Sequence, residues 1–290
     1  MRKGILLIAV ILLSTAGLVR AEEEKLGVTL DVTYLSSYIW RGFDWFHDDR
    51  GAIQTGIGLD LWDTGFGFKI VSTSAIGAGS GRLGGLLQEV PGSEIGFQNL
   101  ERWDYTLYYH NIFDEQETWA TGYNVGWTYY NFPDSSKKAF DMQEVFASFS
   151  WPNICPAGIV PSYTVVCMWP SESGSGLNRT FASVDKMTGV GSGSIGGWLH
   201  IVGLDYDLTV PGIMPETPEQ TFHLSANMVY NDGVLAADHD WSHAVLGVST
   251  NFDISNNLSF TPGLYYQASM EDSVNRDDEV WVSLSMKYAF

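Results

Sequence analysis

The stretch VWVSLSMKYAF, residues 280–290, decides the fold. Every second position (Val280, Val282, Leu284, Met286, Tyr288, Phe290) is apolar or aromatic, and between them stand Trp281, Ser283, Ser285, Lys287 and Ala289. A period of two marks a β-strand with one apolar face. Soluble domains tend to fray into polar tails, whereas this alternation runs to the last residue and calls for pairing along both strand edges. A closed barrel supplies that pairing, and the aromatic end, Tyr288 and Phe290, is expected to serve as the signal read by the barrel-assembly machinery.

The other end of the chain fits the same destination. Met1-Arg2-Lys3 precedes an apolar run over residues 4–13, and small residues lead to Val19-Arg20-Ala21, the layout of a secretory signal cleaved before Glu22. The run is shorter than the roughly 20 residues a spanning helix needs. The expected organisation is a signal peptide at 1–21 and an outer-membrane β-barrel at 22–290. No later stretch approaches the length of a spanning helix, so membrane residence would be through strands.

Aromatics make up 14% of the chain and charged residues only 17%, with a formal charge of −19. Losing Arg2, Lys3 and Arg20 with the signal takes the charge to −22. Without a cluster of Lys and Arg, nucleic acid and anionic surfaces are disfavoured as partners. The two cysteines, Cys155 and Cys167, flank one strand candidate, too far apart along an extended chain to bridge.

The terminal alternation recurs along the whole chain. The first run sets Val28, Leu30, Val32, Tyr34, Tyr38 and Trp40 against Thr29, Asp31, Thr33, Ser37 and Arg41. Further period-two runs fall near 53–61, 66–70, 100–110, 118–130, 142–151, 159–169, 196–208, 220–230, 242–252 and 257–267, and the closing strand makes twelve. The links alternate as well. Those at 43–51, 76–99, 131–141, 170–195, 231–241 and 268–279 are long and polar; those at 62–65, 111–117, 152–158, 209–219 and 253–256 are mostly shorter. An even strand count with short turns at one end and long loops at the other is the plan of an outer-membrane barrel. The expected fold is therefore all-β, a transmembrane antiparallel up-and-down barrel of about 12 strands.

The polar faces separate this from a soluble sandwich. They are rich in Gly, Ser, Thr, Asn and Gln rather than Lys and Glu, which suits a confined lumen. Trp40, Trp62, Trp151, Trp169 and Tyr288, near strand ends, are assigned to the interfacial aromatic girdles.

Ser36-Ser37-Tyr38-Ile39-Trp40-Arg41-Gly42 resembles the S-D-Y-x-[FW]-R-G signature of the TorF-like porins of Gram-negative outer membranes, with Ser37 where that family has Asp. Ala52-Ile53-Gln54 and Gly58-Leu59-Asp60 are similar to its A-x-Q and G-x-D stretches. The likeness covers about the first 60 residues, and the segments 76–99 and 170–195 have no counterpart in it. It marks Ser36, Tyr38, Trp40, Arg41 and Gly42 as the family-like motif and implies a barrel with a channel role.

Read physically, the motif closes the first strand, with Arg41 on the lumen side near the mouth and Gly42 bending the chain into a loop. Arg41 is then a selectivity charge or an ion-pair brace to a lumen carboxylate. By the same parity Asp31, Asp60, Lys69, Arg102, Asp104, Glu144, Asp205, Asp207 and Lys287 face the lumen, a net negative set that favours cations.

No nucleophile context accompanies the six histidines. His239 and His243, four residues apart in an extended chain, stand roughly 13 Å from each other and cannot share a metal ion. Neither an enzyme, a metal nor a cofactor is expected. Two readings remain: a porin-like channel for small polar solutes or ions, embedded in outer-membrane lipids, or a closed barrel that acts through its long loops on a surface partner.

Overall fold

The computed structural model describes residues 26–46, 51–76, 101–133, 141–172, 195–212 and 218–290, with the backbone of a small pairing at 80–81 and 97–98. The segment 1–21 expected to act as a signal, the acidic pair at 48–49 and most of the segments 76–99 and 170–195 lie outside the described residues.

Twelve antiparallel strands form the wall: β1 Gly27–Leu35, β2 Ala52–Asp60, β3 Phe66–Ala75, β4 Arg102–Phe113, β5 Thr121–Asn131, β6 Met142–Ser150, β7 Ile159–Pro170, β8 Gly197–Pro211, β9 Glu219–Asp232, β10 Asp240–Thr250, β11 Leu258–Ser269 and β12 Glu279–Ala289. Each pairs with its neighbours in sequence, and β12 closes the ring on β1 through Thr29↔Ala289 to Leu35↔Ser283. A short strand, Phe252–Ser255, pairs with the start of β11. Among the described residues no helix is long and apolar enough to cross a membrane.

Alternation sets the two faces. Leu30, Val32, Ile57, Leu107, Val125, Val202, Leu246, Leu264 and Val282 point outward and are exposed, an apolar belt that only lipid would cover. At the rim beside the long links, aromatic donors are anchored to polar groups. Trp103 Nε1 donates to Glu101 at 3.0 Å, Trp127 Nε1 to Gln143 at 3.1 Å and Tyr266 Oη to Asp278 at 2.6 Å. An amphipathic ring with a wet tip is the side chain that suits a membrane interface. The Tyr266 hydroxyl and the Ser269 amide hold the Asp278 carboxyl below the usual carboxylate range.

The inward faces divide in two along the barrel axis. At the end with the short turns they carry Gly, Ser, Thr and Asn with scattered charges. At the end with the long links they carry a hydrophobic core, where Tyr130, Phe132, Met142, Val166, Met168, Leu199 and Val229 are buried. The segment linking β1 to β2 fills that half.

Cys155 sits in the turn after β6 and Cys167 on β7; both are free thiols.

Candidate functional site

The segment 36–46 does not prolong β1, as the sequence reading expected. Pairing of β1 stops at Leu35, the chain turns inward, and Ile39–Trp40 and Phe43–Asp44 form a two-stranded hairpin inside the barrel. Its connection is Arg41-Gly42, both with positive φ (56° and 91°). Two successive positive φ values define a type I′ turn, whose twist matches that of the strands it joins. Gly42 adopts this backbone freely; Arg41 does so at some cost in strain.

Ser36 fastens the base of the segment. Its amide donates to the Val282 carbonyl at 2.9 Å, and its hydroxyl accepts from the Val282 amide at 2.8 Å, so β12 stays paired where the hairpin departs. Tyr38, Phe43, Trp45 and Phe46 are at most 5% exposed. Trp40 packs edge-on to Trp45 and Tyr130, with ring centroids 4.9 and 5.2 Å apart. Trp40 is therefore not a girdle residue, and Tyr38 and Trp40 do not face lipid. The parity rule fails here because it assumes an unbroken strand, and Arg41-Gly42 breaks it.

The hairpin is braced on two sides of the barrel. On one side Arg41 Nη2 donates to both carboxylate oxygens of Glu144 on β6, at 2.8 and 2.9 Å. The Glu144 side chain is 4% exposed, so the pair works in low dielectric, where each charge depends on the other. On the other side Gln267 Nε2 of β11 donates to the Gly42 carbonyl at 2.8 Å. A Cβ at Gly42 would fall 2.5 Å from His243 Nδ1 and 2.7 Å from Val274 Cγ1. The glycine is thus required by close approach as well as by its backbone.

Arg102 forms a second buried centre beneath the aromatic rings. Its Nε and Nη2 chelate Asp104 at 2.7 and 2.9 Å, and Nη2 also donates to Tyr38 Oη at 2.5 Å. The guanidinium lies 4.3 Å from the Trp40 ring centroid and 5.1 Å from that of Tyr130, a desolvated cation–π cage. Burial pushes the Tyr38 phenol up to about 12, so it stays neutral and accepts from Arg102.

The remaining parity-assigned residues lie in the polar half. Lys69 Nζ stands 3.6 Å from Asp31, which also pairs in register with Lys287. Asp60 accepts from Tyr108 Oη at 2.8 Å, and Asp207 lies 2.6 Å from His223 Nδ1. Arg41, Glu144, Arg102 and Asp104 come together in the packed half, whereas Asp60 and Lys69 sit near the short turns. Gln267, Tyr130 and Phe132, which the sequence does not single out, complete the site together with His243, which the sequence offers only as a rejected metal ligand. Gln267 left a trace there, a large polar residue on the inward face of a strand.

A second segment supports the first. Val234–Ala236, after β9, is buried beside the hairpin core, with Leu235 and Ala236 at φ 56° and 64°. Asn231 ties it down, accepting from the Val234 amide at 2.7 Å. Among the described residues no group of three metal-binding side chains occurs.

No protein-family profile matches the chain, and no curated protein matches it. Solved structures with a similar fold include the KdgM porin (8% identity, TM-score 0.49, covering 90% of this chain and 99% of that one) and the NanC porin (9%, 0.48, 90% and 98%). The outer membrane phospholipase A of Escherichia coli is also similar (10%, 0.43, 90% and 92%). The likeness ends at the barrel architecture, since enzyme and porins share it alike.

Proposed function

We propose that this chain is an outer-membrane channel for passive diffusion of small polar solutes or ions, with a modest preference for cations and the hairpin 39–44 as its constriction. The observation that carries the reading is the division of the lumen. A vestibule of mostly small polar side chains with scattered charges leads from the short-turn end, which would be periplasmic, up to the braced hairpin. The first-strand motif supports kinship with the TorF-like porins, and the motif then encodes the hairpin itself rather than a strand. The barrel would be delivered by its signal peptide and inserted through the terminal Tyr288 and Phe290.

Selectivity follows from the charges left over. Arg41 is matched by Glu144, Arg102 by Asp104 and Lys69 by Asp31. Asp60, Asp205 and Asp207 then stand against Lys287, and a confined negative field concentrates cations most at low salt. Planar-bilayer recording tests both statements: stable single-channel steps, with a reversal potential in a potassium chloride gradient on the cation side. Arg41→Ala removes a positive charge at the constriction and shifts that potential further toward cations. An anion-selective pore would refute the assignment.

The densely packed hairpin core favours a second reading, a closed barrel that acts through its outer loops. Absence of single-channel steps from well-inserted protein, in wild type and Arg41→Ala alike, would establish it over the channel.

A further inference from the structure

Below the hairpin, one sector of the wall differs from the rest. Tyr265 on β11 and Trp281 on β12 are register partners on the inward face. Their rings run nearly parallel, 14° apart, with centroids at 5.4 Å. Tyr265 lies flat because the positions under it are glycines: a Cβ at Gly247 or Gly263 would stand 2.8 Å from its ring carbons. Both side chains retain part of their surface, and for an inward side chain in a barrel that surface belongs to the lumen.

The wall around them is hydroxyl and amide. Ser283 and Ser285 continue β12 below Trp281, Thr261 continues β11, and Ser225 and Asn227 face inward from β9. On β11 and β12 no inward charge appears between the Gln267–Glu279 pair above and the Ser259–Lys287 pair below, while Asp207 lies beside His223 on the far side of β9. Charges return on the adjoining strands, with Asp31 on β1, Asp60 on β2 and Lys69 on β3. Gln267, two residues above Tyr265, holds the hairpin, so the aromatic shelf lies where a solute rising through the vestibule would stop.

We propose that the Tyr265–Trp281 shelf is a binding site for neutral saccharides. A flat apolar ring surface covers the C–H face of a pyranose, while surrounding hydroxyl and amide groups exchange hydrogen bonds with its rim. An inorganic ion would be held instead by fixed charges, and the two strands of the shelf carry none at the level of its rings. An apolar solute would cover the polar groups of Ser225, Asn227 and Ser283 without hydrogen-bonding them. The site rests on the channel reading only in that the solute must reach the lumen from one side.

The test is saturation-transfer difference NMR on the full mature barrel folded in detergent, with maltotriose as the probe and glucuronate as the charged comparison. Expected are saturation of the maltotriose ring C–H protons, about five-fold weaker binding for Trp281→Ala, and retained binding for Trp281→Phe, which keeps a ring. Heat-modifiable gel mobility checks that each variant is folded; if Trp281→Ala is not, Tyr265→Leu replaces it with the same expectation. No maltotriose signal in wild type, undiminished binding in the ring-less variant, or tighter binding of glucuronate would each overturn the proposal. Conductance is read separately. A barrel that binds maltotriose without single-channel steps keeps the site and loses the channel, and steps without binding do the reverse.

Discussion

The two halves of this barrel are built from the same strands with the same alternation, yet their interiors obey different rules. Toward the long links, the inward residues gather around Tyr38, Trp45 and Phe46 into a buried hydrophobic core. Toward the short turns the same strands carry Gly56, Gly58, Asn124, Ser148 and Gly203, and the neighbours are polar side chains such as Asp31, Thr29, Ser162 and Asn227. On the sheet's outer face nothing changes at the boundary. Inward chemistry alone switches, so a membrane barrel can hold a private hydrophobic core without altering what it shows to lipid. The practical lesson is that a charge in the upper half is a packing element, whereas a charge in the lower half is a solvated one.

Removing the hairpin tests that contrast most severely. Replacing residues 37–46 by a short Gly-Ser link empties the packed half and leaves the wall intact, and unitary conductance is expected to rise several-fold while heat-modifiable mobility persists. Conductance equal to wild type would place the constriction elsewhere.

Next in size is Glu144→Ala, which strands the Arg41 guanidinium in low dielectric. The expected loss is about 3–5 kcal/mol in urea unfolding monitored by tryptophan fluorescence. Gly42→Ala follows, at about 1–3 kcal/mol, because the new Cβ meets His243 and Val274 and the residue must hold φ near 91°. Smallest is Lys69→Met in the hydrated half. Its partner Asp31 is 3.6 Å away, the Lys69 side chain is 46% exposed, and the loss should stay below about 1 kcal/mol. If Lys69→Met cost as much as Glu144→Ala, the division of the interior would be wrong.

The wall was legible in the sequence because period two is a local property: Leu30, Val32 and Tyr34, or Val280 through Tyr288, announce their face without reference to any partner. All twelve strands, and their closure through the last of them, could be read this way. The hairpin could not. Ser36 to Gly42 continues the same alternation, and nothing local says that Tyr38 and Trp40 will meet Tyr130 and Trp45 rather than lipid. The available clue is Arg41-Gly42 between Trp40 and Phe43, a pair that suits a two-residue turn as well as the bend of a loop. Glu144 and Gln267 were legible as inward-facing, but their partner lies far away in sequence and only the closed ring brings them together. Tyr265 and Trp281 carry no local signal for a related reason: each is an ordinary strand residue until register pairs them and two glycines lay the first one flat.

The span of those braces bears on how the chain reaches its final state. Arg41 and Glu144 are 103 residues apart, and Gly42 and Gln267 are 225 apart. The hairpin directly follows the first strand, yet the strand that holds its tip is the eleventh of twelve. Contacts of such separation form late, because the intervening chain must be ordered before they yield anything. During assembly the aromatic hairpin therefore waits undocked until β11 arrives, and its docking reports that the ring is almost complete. A barrel stalled at ten strands would still expose Tyr38, Trp45 and Phe46, a hydrophobic mark of unfinished work available to quality-control proteases or chaperones.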